Sequence, residues 1–168
     1  MKILLICGGV IAALAGVAVI VGYLLPVNHT VSRSILLRAS KDQVWALISD
    51  FERYPSWRPD LKSVEKLHDT GGHPMWRETS RSNETIEYET IEAEPGKKLV
   101  QRVATQGLPF GGTWTLQLAQ DRGNTTLTIT ENGQVYNPVF RFISRFIVGQ
   151  TVNIERYLND VKSALGEA

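Results

Sequence analysis

The apolar residues divide the chain into two unequal parts. From Ile3 to Leu25 there are 23 residues without a charge, and at 1.5 Å per residue a helix of that length is about 34 Å long, enough to cross a bilayer core of roughly 30 Å. One uncleaved transmembrane anchor is expected over residues 1–26, because cutting at Ala13-Leu14-Ala15 would leave Val17 to Leu25 as a new apolar end. Beyond it, His29–Arg38 alternates as a strand, with Val31, Ile35 and Leu37 apolar. Ser40-Lys41-Asp42-Gln43 has the form of a capping box and opens a helix that places Val44, Leu47, Ile48 and Phe51 on one face. Tyr54-Pro55 stops it, and Ser56-Trp57-Arg58-Pro59 closes a second short helix.

Turn chemistry then recurs at Asp69–Gly72, Ser82-Asn83, Pro95-Gly96, Leu108–Gly112 and Asp121–Asn124. The segments between are expected strands: Leu61–Leu67, Met75–Ser80, Glu84–Ala93, Lys98–Thr105, Thr113–Gln120 and Thr125–Val135. Connections this short make consecutive strands antiparallel neighbours. Asn132-Gly133 reads as a bulge. Asn137 followed by Pro138 opens a final helix expected to run unbroken to Leu165, with Phe140, Ile143, Ile147, Ile154, Leu158, Val161 and Leu165 as one core-facing stripe. The fold class is α+β, a sheet covered on one face by that helix.

Five stretches carry a family resemblance: Ser34–Ser40, Val44–Asp50, Tyr54-x-x-Trp57-x-Pro59, Gly123–Thr128 and Tyr157-Leu158-x-x-Val161-Lys162. Over roughly residues 29–165 the chain resembles the START-like, or SRPBCC, superfamily in its polyketide cyclase/dehydrase and lipid transport branch. The resemblance implies a helix-grip fold, in which a seven-stranded antiparallel sheet, with two short helices after strand 1, wraps a long C-terminal helix around an apolar cavity. Members bind lipids, sterols, polyketides or other apolar molecules, and a minority are enzymes. The matched positions are structural, so no catalytic residue is carried over.

Composition narrows the function classes. The formal charge is +1, and with Lys2 set aside residues 27–168 are neutral and lack a basic run, which argues against a nucleic-acid partner. Cys7 is the single cysteine, so neither an intrachain disulfide nor a cysteine metal site can form. His68 and His73 bracket a glycine loop that would preorganise no ligand pair, and no metal is expected. Hydrolase and nucleotide motifs are absent from the sequence, and no cofactor is expected.

Alternation nominates ligand-lining positions on the sheet at Trp76, Ile86, Tyr88, Trp114, Leu116 and Ile129, and helical spacing adds Phe140, Ile143 and Ile147. Most of them read as plain core. Arg77, Arg81, Glu84, Glu87 and Glu89 suit the wet face of the sheet, whereas Glu78 shares the parity of Trp76. Three readings follow. The first is a membrane-anchored START-like domain, residues 27–168 on the outer side of the membrane, binding a hydrophobic small molecule or lipid between sheet and helix. The second is a cyclase/dehydratase-type enzyme on a polyketide-like substrate, for which Glu78 or Tyr88 would supply the proton. The third is an interaction module whose core is filled by Trp76, Trp114 and Phe140 meeting in the middle.

Overall fold

The computed structural model describes residues 2–69 and 71–167, the side chains of residues 2–7, 10–12 and 121 excepted. Its elements are α1 (Lys2–Leu24), β1 (Asn28–Leu37), α2 (Lys41–Ser49), a 3₁₀ turn (Phe51–Ser56), β2 (Leu61–Lys66), β3 (Met75–Ser80), β4 (Thr85–Glu94), β5 (Lys98–Val103), β6 (Phe110–Asp121) and β7 (Asn124–Val135). A short α3 (Pro138–Ile143), a π turn (Ser144–Val148) and α4 (Val152–Ala164) complete the chain.

Local chemistry sets the helix starts where the sequence places them. The Ser40 hydroxyl accepts from the Gln43 N–H at 3.3 Å, while the Ser40 N–H donates to Gln43 Oε1 at 2.9 Å, a reciprocal box that satisfies two otherwise orphaned donors. The Asn137 side chain accepts from the N–H groups of Val139 and Phe140 at 2.9 and 3.2 Å, with Pro138 at the first helical position.

The strands form one antiparallel seven-stranded sheet in the order β1-β7-β6-β5-β4-β3-β2. Because the chain returns to pair its first strand with its last, the sheet curls around α4. Leu37, Leu116, Leu127 and Ile129 from the sheet meet Val44 and Ile48 of α2 and Ile154, Leu158 and Val161 of α4, all at most 4% exposed. Burying each such side chain contributes about 1.5–3 kcal/mol.

Three expectations fail. The final helix is not continuous: the π turn is closed by the Gly149 N–H donating to the Ser144 carbonyl at 3.1 Å, and Gly149 leaves the helix at φ 90°. A π turn takes an extra residue per turn and rotates everything downstream, and a φ in the left-handed region breaks the axis outright. The stripe therefore splits: Ile154, Leu158 and Val161 are buried, whereas Phe140 is 50% and Ile147 69% exposed. Secondly, no bulge forms at Asn132-Gly133, since β6 and β7 stay in unbroken register from Phe110↔Val135 to Asp121↔Asn124. The ladder's bulges lie instead between Leu61 and Ser63 and between Thr90 and Glu92. Thirdly, Phe110–Gly112, expected in a turn, already belong to β6.

A helix of 23 residues forms where the span was expected. Among the described residues, however, no helix is long and apolar enough to cross a membrane, so the structure lends the transmembrane expectation nothing beyond a helical backbone. The end of α1 packs on α3. Gly22 lies so close to Pro138 that a Cβ there would meet the Pro138 carbonyl oxygen at 2.0 Å, and Arg141 Nη1 donates to the Leu25 carbonyl at 2.7 Å.

Candidate functional site

Between the inner face of the sheet and α4 lies an open cavity of about 670 Å³, walled by side chains of β3, β4, β5, β6, β7 and α4 and by the segment that follows the 3₁₀ turn. Its inner end is built around Arg58. The guanidinium donates through Nη1 to both oxygens of Glu78 at 3.0 and 3.1 Å and through Nη2 to Asp60 Oδ2 at 3.2 Å. Its Cζ also stands 5.3 Å from the ring centre of Tyr54 and 5.5 Å from that of Tyr157, so two aromatic faces share its charge. Glu78 accepts a further bond from Trp76 Nε1 at 3.2 Å.

Burial sets the protonation states. It pushes the Glu78 carboxyl above the ordinary carboxylate range, with Arg58 pulling the other way; the ion pair wins over a neutral acid because both carboxylate oxygens face the guanidinium. For Arg58, burial acts downward, and the facing Glu78 together with Tyr157, Asp60 and Tyr54 more than offsets it, leaving the guanidinium firmly charged. The Tyr54 hydroxyl donates to the Ile48 carbonyl at 2.7 Å and accepts from Gln101 Nε2 at 3.4 Å and from the Tyr157 hydroxyl at 3.3 Å; burial raises it to about 12. Tyr157 is likewise held protonated by burial.

Tyr88 differs from both. Its ring stacks on Trp76 at 5.6 Å and 20°, which in turn stacks on Phe51 at 3.9 Å. Burial, with Glu78 adding to it, raises the phenol well above its usual value, and among the described residues its hydroxyl has no hydrogen-bond partner. A protonated donor thus faces the cavity unused. At the other side, Trp114 Nε1 donates to Glu131 Oε2 at 2.8 Å, and Glu131 Oε1 lies 3.1 Å from His29 Nε2. The His29 ring fits there because Gly133 has no side chain: a Cβ would meet its Cε1 at 2.3 Å. His29 is half-buried in the sheet.

Of the residues nominated from sequence, Ile86, Tyr88 and Trp114 line this cavity, as does Glu78. Trp76, Leu116 and Ile129 are buried at 1%, 0% and 0% exposure; Trp76 supports the wall through Tyr88 and Glu78, and the other two belong to the core. Phe140, Ile143 and Ile147 stand apart from it on α3 and the π turn. Since Phe140 points outward, Trp76, Trp114 and Phe140 do not meet to fill the middle. The charged residues expected on the wet face divide: Arg77 pairs with Glu65 and Glu87, and Glu89 with Arg102, away from the cavity, whereas Arg81 and Glu84 line it, because they sit on the β3–β4 turn, where strand parity no longer applies. Sequence reasoning missed Arg58, Asp60, Gln101, Glu131 and Tyr157. Gln101 and Glu131 carried a usable signal, since each is a polar residue at an inward position flanked by apolar ones, Leu99 and Val103 or Ile129.

Residues 28–165 match the family described as polyketide cyclase/dehydrase and lipid transport. The chain belongs to that family. Solved structures with the same architecture include the Zhui aromatase/cyclase from a Streptomyces species, with a TM-score of 0.66 and 15% identity over 83% of this chain and 94% of that one. A START superfamily protein from Mycobacterium smegmatis gives a TM-score of 0.65 and 17% identity over 82% and 97% of the two chains. Norcoclaurine synthase from Thalictrum flavum gives 0.66 and 14% over 89% and 92%. At such identities the likeness is one of fold. No curated protein matches the chain.

Proposed function

We propose that the cavity of this family member binds a neutral, mainly apolar, ring-bearing molecule, and that the Tyr88 hydroxyl donates a hydrogen bond to an oxygen of that molecule. The unpartnered phenol in a cavity of about 670 Å³ is the observation that carries the reading: the volume suits a small organic ligand, and the rings of Tyr88, Phe110, Trp114 and Tyr157 in its wall suit a ring-bearing one. Charge disfavours an anion such as a fatty-acid carboxylate. The lining holds Asp60, Glu78, Glu84, Glu131 and Asp160 against Arg58, Arg81 and Arg156, and Arg58, the buried cation, is already committed to Glu78.

The test is titration with a panel of neutral polycyclic probes and fatty acids, followed by Trp fluorescence. Polycyclic probes should saturate and fatty acids should not. Tyr88→Phe should weaken binding by about 5- to 10-fold, the worth of one net hydrogen bond near 1 kcal/mol, and Ile86→Trp should abolish it by filling the space. Saturation unaffected by both variants would place the ligand elsewhere.

A cyclase-type activity is the second reading, favoured by the same phenol, which would polarise a substrate carbonyl. It also needs a base, and Glu78 qualifies only by releasing Arg58. Anchoring through the uncharged residues 3–25 belongs to the proposal too, supported by their length and composition; it predicts that the full chain stays with membranes through alkaline carbonate washing and that a chain without residues 1–26 does not.

A further inference from the structure

A cluster of exposed large apolar side chains lies outside the cavity. On the π turn Phe146, Ile147 and Val148 are 58%, 69% and 56% exposed, and Val139 and Phe140 of α3 are 40% and 50% exposed. Phe142 supports the group from below, its ring 5.2 Å from that of Phe146. Such a patch on a folded domain marks an interaction surface.

Two features say what covers it. Consecutive residues on a helical turn point in widely different directions, so a flat protein surface could cover one or two of Phe146, Ile147 and Val148 but not all three. A fluid apolar medium covers them all. The patch is also continuous with the end of α1 through the Gly22–Pro138 approach and the Arg141–Leu25 bond, and there Tyr23 and Leu24 are 68% and 81% exposed. Between Glu131 and Glu155 the chain has no acidic residue; it has Arg141, which is committed to Leu25, and Arg145, which is exposed beside Phe146. An apolar turn flanked by an exposed arginine and without carboxylates suits an anionic bilayer surface.

We propose that residues 139–148 form a lipid-immersed turn, which seats the domain on the bilayer surface beside the exit of α1. This rests on the anchoring reading given above. The cavity follows from the same placement. Phe110, which lines it and is 40% exposed, begins the strand paired with Val135, just ahead of α3; the Tyr136 N–H donates to the Pro109 carbonyl at 2.8 Å. That end of the cavity therefore lies next to the immersed turn, within reach of apolar molecules dissolved in the membrane.

The full-length chain with Cys7→Ser, carrying Ile147→Cys or, as a control on the far β4–β5 turn, Lys97→Cys, is labelled with an environment-sensitive fluorophore. Each variant is reconstituted into phosphatidylcholine vesicles with a phosphatidylglycerol minority. Co-sedimentation reports anchoring, and quenching reports the turn. The label at position 147 should be quenched by a nitroxide in the upper acyl chains several-fold more than that at 97, and shielded from aqueous iodide. Sedimenting protein with equal iodide quenching at both sites overturns the immersed turn while leaving the anchor standing. Shielding from iodide without nitroxide quenching also overturns it, since a second copy of the chain then covers the face. Protein that fails to sediment overturns both. A Phe146→Ser/Ile147→Ser/Val148→Ser chain with its label at Phe140→Cys should lose the nitroxide quenching and keep its unfolding temperature, which separates lipid contact from folding.

Discussion

Arg58 and Glu78 illustrate how one residue determines what its neighbour can do. Their side chains are 15% and 8% exposed, so each charge is held out of water facing the other. Removing one partner strands a buried charge, whereas replacing both with apolar groups leaves nothing stranded. Glu78→Leu should therefore destabilise the protein by about 3–5 kcal/mol, and Arg58→Met/Glu78→Leu should recover most of that loss; denaturant unfolding of the detergent-solubilised chain measures both. A double variant as unstable as the single one would mean that Arg58 is held mainly by Asp60 and the two rings. The inward position of Glu78 was legible because strand parity places it with Trp76. Arg58 was not, because it follows a 3₁₀ turn, where no period relates a residue to a face, and its partner lies 20 residues away.

At the scale of elements, signals that act within a few residues were readable: the Ser40–Gln43 box, the Asn137-Pro138 start and the turns that divide the strands. Signals that cancel one another were not. The apolar residues Phe140, Ile143, Ile147 and Ile154 keep helical spacing straight through Gly149, so periodicity reported one stripe where the backbone makes two. Substitution distinguishes the halves. Ile154 is fully buried, and Ile154→Asp should cost several kcal/mol, as an unpaired buried charge does. Ile147→Asp, on an exposed turn, should change the stability of the detergent-solubilised chain by less than about 0.5 kcal/mol. Equal losses at both positions, read as shifts in the unfolding midpoint, would restore the continuous stripe.

Across the whole molecule, the curled sheet gathers three phenols, with Tyr54 and Tyr157 buried and Tyr88 half-buried on the cavity wall, and this ties stability to alkaline pH. In the unfolded chain each ionises near 10; in the folded chain burial raises all three, Tyr54 to about 12. A group whose folded pKa is raised stabilises the fold fully below its unfolded pKa, and that contribution is lost as pH climbs toward the folded one. Stability should hold up to about pH 10 and then fall by about 1.4 kcal/mol per phenol for each further pH unit, roughly 4 kcal/mol for the three together. Unfolding midpoints measured from pH 9 upward, alongside phenolate absorbance, give the slope. Tyr88→Phe should reduce it by about one third, because each phenol contributes the same proton to the linkage. A bound ligand that accepts the Tyr88 hydrogen bond should delay the loss, since ionising that phenol would break the bond. If phenolate absorbance in the folded protein instead rises near pH 10 with no loss of stability, the hydroxyls reach water and the cavity is open to solvent at its aromatic end.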